Sequence, residues 1–357
     1  MVWLPASPCW QPLESSRPHI PLPIGRPSPV ARLLFVCDAL ETFKPHKDST
    51  LAMMRAAQTR GHSIWVAEPC GLIADWAEGR RRQLLGPHLV IHAAQIRIQE
   101  ASEWRDGRWW QVLEDGHFDH GTFDAVLMRK DPPFDVDYLV ATQMLDLLER
   151  AGMPVFNRPV ALRDHGEKLA VLEFSDFAPE GIVSAHMERL SAFAKDHARV
   201  VFKPLDAMGG AGIFLSHASD PNLPVILETL TDHGRRQIMA QRWVPEISQG
   251  DKRILIIDGE PLPYALARIP PEGASRGNLA AGGRGEARPL TSRDLEIARA
   301  LGPELADRGL FLVGLDVIGD YLTEINVTSP TGFVEIEQQT GFAVADHFIE
   351  RLEVHLV

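Results

Sequence analysis

A strand, a helix and a second strand follow one another near the start of this chain, and that order decides its first architecture. "ARLLFVCDA", from Ala31, is an apolar run of buried-strand type. "KDSTLAMMRAAQTRGH" then carries apolar residues at helical spacing, with Asp48 or Ser49 as a cap and Gly61 as a stop. "SIWVAEP" returns to strand. Two strands joined through a helix run parallel, and the helix must lie on a face of their sheet. The spacing therefore predicts an α/β chain that opens with a Rossmann-like parallel-sheet domain.

The same unit is expected to run to about residue 165. "LVIHAAQIRIQ" and "RWWQVLED" read as antiparallel additions, "FDAVLMRKDPPFD" as a strand ending in a proline-locked loop, and "MPVFNRP" as a last strand. Between those two comes the amphipathic helix "VDYLVATQMLDLLERAG", closed by Gly152. A second unit, 166–245, is introduced by a helix predicted from Pro159 to Phe174, followed by a linker, "SDFAPEGIV". It continues with the helix "HMERLSAFAKDHA", the strands "RVVFKP" and "GIFLS" around a glycine turn, the helix "LPVILETLTDHG" and the strand "QIMAQRWV". The third unit, 246–357, holds two hairpins, so the C-terminal part reads as α+β. One turns at Asp258-Gly259 and the other near Gly319-Asp320. Between them lie a glycine-rich loop, 270–285, and a helix with Thr291 and Asp294 at capping-box spacing.

Composition narrows the function classes. The chain has 357 residues, too many for one small core, and a net charge of -12. Its longest basic block is Arg80–Arg82, so a nucleic-acid partner is not expected. No run of about 18 apolar residues occurs, which argues against a membrane span. Three widely spaced cysteines, Cys9, Cys37 and Cys70, suit a reducing, cytoplasmic setting. Eight prolines in residues 1–30 predict an extended, poorly ordered tail.

Two segments carry candidate chemistry. "KPLDAMGGAGIFL" places Gly209, Gly210 and Gly212 between two strands, with Lys203 just upstream. It matches neither GxxxxGK[ST] nor a GxGxxG that opens a helix. Glycines at positive φ let backbone amides approach an anion closely, and a lysine adds charge to the same phosphate oxygens. A plain glycine hairpin with a solvated lysine fits the same letters. Arg276 and Arg284 on the 270–285 segment suit a flap closing over phosphate or carboxylate, or else a surface insertion.

The second segment is "GLDVIGDYLTEINVTSPTG". Glu324 and Asn326 are two apart and share one strand face, and Asp316 stands on the preceding strand. Such hard oxygen ligands suit Mg²⁺ bridging to phosphates. A simple two-residue turn at Gly319-Asp320 pairs Asp316 with Thr323 and sends Glu324 to the other face. Asp316 meets Glu324 only if the connection has an odd residue count or a bulge, and a three-residue loop, 319–321, satisfies this.

Taken in order, "KDSTLAMM", "LMRKDPPFD", "NRPVALRDHGEKL", "KPLDAMGGAGIF", "GDKRILIIDGEPLPYALARIP", "RGNLAAGGRGE" and "VGLDVIGDYLTEINVTSPTG" resemble the prokaryotic glutathione synthetases of the ATP-grasp superfamily. The resemblance spans about residues 31–350. It implies an ATP-grasp fold after the N-terminal domain, and a ligase that joins γ-glutamylcysteine to glycine through an acyl phosphate. It further implies Lys168 and Lys203 as phosphate-binding lysines beside Gly209 and Gly210. Gln241, Arg242, Trp243 and Val244 would form an adenine-contacting hinge, with Asp251 at the ribose. Asp316, Glu324 and Asn326 would hold Mg²⁺, with Mn²⁺ as the alternative. Arg253, Arg268 and Arg276 would surround the transferred phosphoryl group. Arg129, Asn278, Arg284 and Ser329 would contact substrate, as Arg276 also would. A homotetramer is implied too. Another carboxylate–amine ligase and a small-molecule kinase remain the competing readings.

Overall fold

The computed structural model describes residues 30–84, 86–100, 108–207, 209–271 and 282–356; the proline-rich segment 1–29 lies outside them. Seven strands make the first sheet: β1 (Arg32–Val36), β2 (Ser63–Ala67), β3 (Leu72–Asp75), β4 (His88–Ile98), β5 (Trp110–Asp119), β6 (Ala125–Met128) and β7 (Val155–Phe156). β1 pairs in parallel with both β2 and β6, and β6 with β7, while β4 runs antiparallel to β2, β3 and β5. β1 and β6 are continuous apolar runs because helices and loops cover both faces. Helix α1 (Ser49–Thr59) is capped by Asp48, whose carboxylate accepts from the Leu51 amide at 2.8 Å. That leaves the Ser49 hydroxyl for a distant partner. α2 (Trp76–Arg81) and α3 (Val136–Arg150) begin the same way, on Asp75 and Asp135.

The helix predicted from Pro159 to Phe174 is divided. α4 (Pro159–Asp164) stops early, and a 3₁₀ segment resumes at Leu169–Phe177. The residues between are drawn away by a strand far along the chain: the Ile325 amide donates to the Glu167 carbonyl at 2.9 Å. A tertiary backbone bond there replaces an intrahelical one.

The second sheet contains β8 (Gly181–Ser184), β9 (Val200–Pro204), β10 (Phe214–Ser216) and β11 (Ile238–Arg242), ordered β10-β9-β11-β8 and antiparallel throughout. With α5 (Met187–Asp196) and α6 (Leu223–Leu230) it encloses its own core around Leu190, Phe202, Leu227 and Ile238. β8 falls where a linker was expected. It is a short edge strand opened by Gly181, and a Cβ there would stand 3.1 Å from the Ala240 carbonyl oxygen.

The third sheet is β12 (Asp251–Ile257), β13 (Glu260–Ile269), β14 (Arg284–Pro289), β15 (Leu312–Ile318) and β16 (Tyr321–Asn326), ordered β14-β13-β12-β15-β16. The β12–β13 turn has Asp258 at φ +52° and Gly259 at φ +82°, the pair of positive values a tight type I′ hairpin requires. α7 (Ser292–Asp307) starts on the expected Thr291–Asp294 capping box. α8 (Phe333–Thr340) and α9 (Val344–Glu353) close the chain. The first and third sheets share cores: Leu34 and Val126 belong to one buried cluster with Ile254 and Leu315, and Phe35 and Leu127 to another with Leu255 and Phe333.

Candidate active site

The second and third sheets face each other across a cleft of about 330 Å³. Register alone assembles its floor. Asp251 on β12 stands opposite Arg268 on β13, and Arg253, two residues on and so on the same face, stands opposite Asp316 on β15. Asp316 in turn stands opposite Glu324 on β16. That last pairing is reached by a different route from the expected three-residue loop. The turn is the two-residue Gly319-Asp320, closed by Ile318 and Tyr321, and a bulge between Leu322 and Glu324 shifts the register by one. Five charged side chains on four strands therefore share one face of the sheet, in two adjacent rows.

Together they form an ion network. Arg253 grips Asp316 with both ends of its fork, at 2.9 Å each, and Arg268 reaches Asp316 at 2.7 Å and Asp251 at 2.5 Å. Burial pushes the Asp316 carboxyl up, but the two arginines outweigh it and hold the group below the usual carboxylate range. Asp251 moves the other way: burial, with Asp316 nearby, raises it despite Arg268. One Asp251 oxygen, Oδ1, is buried and has no hydrogen-bond partner. An acceptor in that position suits a hydroxyl donor entering the cleft. Glu324 pairs with Lys168 at 2.9 Å. Asn326 commits its amide nitrogen to the Gly314 carbonyl at 3.1 Å, so its oxygen is the end left for a cation.

Among the described residues no three His, Cys, Asp or Glu side chains stand at metal-binding spacing. Two carboxylates and an amide oxygen do line one cleft wall. That donor set fits a hard divalent cation that completes its shell with substrate phosphate and water.

The opposite wall comes from the second sheet. Lys203, at the end of β9, is buried and donates to the Thr323 carbonyl at 3.1 Å. Lys168 donates to the Ala207 carbonyl at 2.5 Å. Burial pushes the Lys203 ammonium down to about 8, with Glu324 opposing that shift and Lys168 adding to it. Gly209, Gly210 and Gly212 all have positive φ, +61°, +80° and +66°, which bends the turn over the cleft. Gln241, Arg242, Trp243 and Val244 line the cleft where β11 passes into the 3₁₀ turn Pro245–Gln249. The Arg199 guanidinium lies 4.1 Å from the Trp243 ring centre, and that of Arg242 lies 4.9 Å from the Tyr321 ring. Val201 and Leu215 on this wall and Ile318 on the other present apolar surface to the space between.

The remaining candidates are more dispersed. Ser329 is buried at the rim, in the turn after β16. Arg129 is fully buried; it donates to the Thr50 hydroxyl at 3.1 Å and to the Pro330 carbonyl at 3.2 Å. Burial lowers its pKa, with Asp131 and Asp48 opposing. Arg284, expected on the flap, instead opens β14, is exposed, and pairs with Glu286 at 3.0 Å. The expected loop thus ends sooner than residue 285, because its final residues pair with β13. Arg276 and Asn278 lie outside the described residues. Sequence reasoning passed over Glu167, which also lines the cleft; its one signal was its place beside Lys168 in "HGEKL".

Comparison with known proteins agrees with this geometry. Residues 31–163 match the N-terminal domain of prokaryotic glutathione synthetase, and residues 167–341 match its ATP-grasp domain. The chain is 52% identical over 324 residues to a glutathione synthetase of Bordetella pertussis, covering 90% of this chain and 98% of that one. It is 48% identical over 327 residues to one of Pseudomonas aeruginosa, covering 91% and 98%. Among solved structures it is similar to the D-cycloserine synthetase DcsG, with a TM-score of 0.60 at 15% identity, covering 91% of this chain and 100% of that one. It is also similar to the ATP-grasp ligase PsnB, solved with minimal precursor, Mg and ADP, with a TM-score of 0.57 at 16% identity, covering 91% and 97%. Those two likenesses carry the fold, an α/β ATP-grasp architecture. With both domain models matched and about half the residues shared with full-length relatives, the chain belongs to the prokaryotic glutathione synthetase family.

Proposed function

We propose that this protein is an ATP-dependent ligase that joins γ-glutamylcysteine to glycine, forming glutathione and releasing ADP and phosphate. The observation that carries this reading is the near-complete match to glutathione synthetases, joined to a cleft in which both lysines, the glycine turn and three oxygen ligands converge. A carboxylate is a poor electrophile, so the cysteinyl carboxylate is first phosphorylated by ATP. Lys168, Lys203 and the amides of the glycine turn hold the phosphates, and much of the rate comes from that positioning. The adenine fits between Val201 and Leu215 on one side and Ile318 on the other, with the ribose reaching the unpartnered oxygen of Asp251.

Asp316, Glu324 and Asn326 would hold the divalent metal, Mg²⁺ in this reading, which when bound neutralises phosphate charge. Arg253 and Arg268 stand within reach of the same charge and stabilise the oxyanion that forms when glycine's amine attacks the acyl carbon. Arg129 and Ser329 take the peptide end, and Arg276 and Asn278 are assigned to the substrates as well. The reading divides the chain into domains at 31–165, 166–245 and 246–357, and makes it a cytoplasmic homotetramer. Among the described residues no helix is long and apolar enough to cross a membrane.

ADP release with ATP, γ-glutamylcysteine and glycine, each omitted in turn, tests the reaction. Full turnover is expected only with all three. Equal ADP release without glycine, or a stable phosphorylated product on mass spectrometry, would instead mark a kinase.

A further inference from the structure

The turn after β16 is pinned from three separate parts of the chain. Arg129, just past β6, donates to the Pro330 carbonyl at 3.2 Å. The Ser49 hydroxyl, at the start of α1, accepts from the amides of Gly332 and Phe333 at 3.2 and 3.3 Å. The third pin is Glu167. Its Oε1 accepts from the Val327 amide at 3.0 Å, the Thr328 amide at 3.2 Å and the Thr328 hydroxyl at 2.9 Å. Three donors on one carboxylate oxygen form a strong, directional anchor.

Glu167 differs from the other two pins in what its neighbours do. Its carbonyl accepts from the Ile325 amide at 2.9 Å, so this short turn is tied to β16 through its backbone as well. The next residue, Lys168, pairs with Glu324 at 2.9 Å. One segment therefore ties a cleft lysine, the strand bearing Glu324 and Asn326, and the turn bearing Ser329.

We propose that Glu167 is a positioning residue of the ligase reaction: it sets the Val327–Ser329 turn against Lys168, so that the peptide end and the phosphate end of the cleft keep a fixed separation. The proposal rests on the functional reading above. Acyl transfer needs the carboxylate and the γ-phosphoryl group in near-attack geometry, and small misplacements cost rate steeply. Neither Lys168 nor Glu324 can supply that spacing, because each is bonded to the other.

The test uses Glu167→Ala and Glu167→Gln in the full chain, with glutathione and ADP both quantified. Glu167→Ala is expected to lower kcat/KM for γ-glutamylcysteine about 100-fold. The KM for ATP should move by less than about threefold, since the phosphate lysines remain. ADP released per glutathione should rise, because a displaced turn admits water to the acyl phosphate. Glu167→Gln keeps an acceptor oxygen and should recover about tenfold of the loss, in line with a neutral in place of a charged hydrogen bond. A folded Glu167→Ala with wild-type kcat/KM for the dipeptide and wild-type coupling overturns the proposal. So does a loss that vanishes when assays are run well below the variant's melting temperature, since that marks a role in stability alone. Wild-type protein that forms no glutathione would refute the ligase reading itself, an outcome distinct from both.

Discussion

The four-stranded sheet and the five-stranded sheet that face each other across the cleft are held in different ways. The former surrounds a small core made of its own residues, among them Leu190, Phe202, Leu227 and Ile238. The latter has no such independence, because Ile254, Leu255 and Leu315 are buried together with residues of the N-terminal sheet. Between the two walls the bonds are polar: Lys203 to the Thr323 carbonyl, Lys168 to the Ala207 carbonyl, and Arg242 over Tyr321. A unit that keeps its apolar contacts internal can swing without exposing a core, and its opening costs only contacts that water can replace. We propose that the wall with Asp316 and Glu324 serves as a fixed reference surface and the wall with Lys203 as a lid.

That contrast can be broken by experiment. Glu324 belongs to the fixed wall, so Glu324→Ala should lower kcat by about 10³-fold, comparable to removing a group that stabilises transition-state charge. Its melting temperature should stay near wild type; unchanged ADP release would remove the site from this wall. Phe202→Ala should cost about 3–5 kcal/mol of packing, confined to the lid. Hydrogen exchange is expected to accelerate in β9 and β11 while β12 and β15 keep their protection. Equal acceleration in both sheets would show that they unfold as one body.

Lys203→Ala should raise the KM for ATP by about 30- to 100-fold, the worth of one charge-assisted bond, and leave dipeptide binding nearly unchanged. An unaltered ATP response would discredit the glycine-turn assignment. The smallest effect is the pH dependence of the same residue. Its ammonium titrates near 8, because burial favours the neutral amine. Phosphate binding needs the charged form, so kcat/KM for ATP should be level below pH 8 and fall by up to about tenfold per unit above it. Lys203→Arg keeps its charge across that range and should flatten the decline.

Legibility in the sequence followed the range of the forces involved. The strand and helix periodicities of the βαβ opening, the Asp258-Gly259 turn and the Thr291–Asp294 cap depend on neighbours within a few residues, and all are present. β14 was hidden, since "RGEARP" lacks strand formers and is made a strand by pairing with β13. The helix expected across 159–174 failed for a related reason: local periodicity favoured it, but Glu167 is bonded to Ile325. For the cleft, the residue types and their spacing suggested phosphate and metal chemistry, yet the pairing of Arg253 and Arg268 with Asp316 was beyond reach. Only register across three strands brings those three side chains together.

Sequence by itself determined the parallel sheet, the glycine turn with its upstream lysine, and the shared face of Glu324 and Asn326, because each follows from backbone periodicity or local sterics. Tertiary structure decided the bulge that turns Glu324 toward Asp316, the ion network on the cleft floor, and the anchoring of the Val327–Ser329 turn by Glu167. Those depend on residues far apart in the chain, whose charges are felt only once folding has removed the water between them.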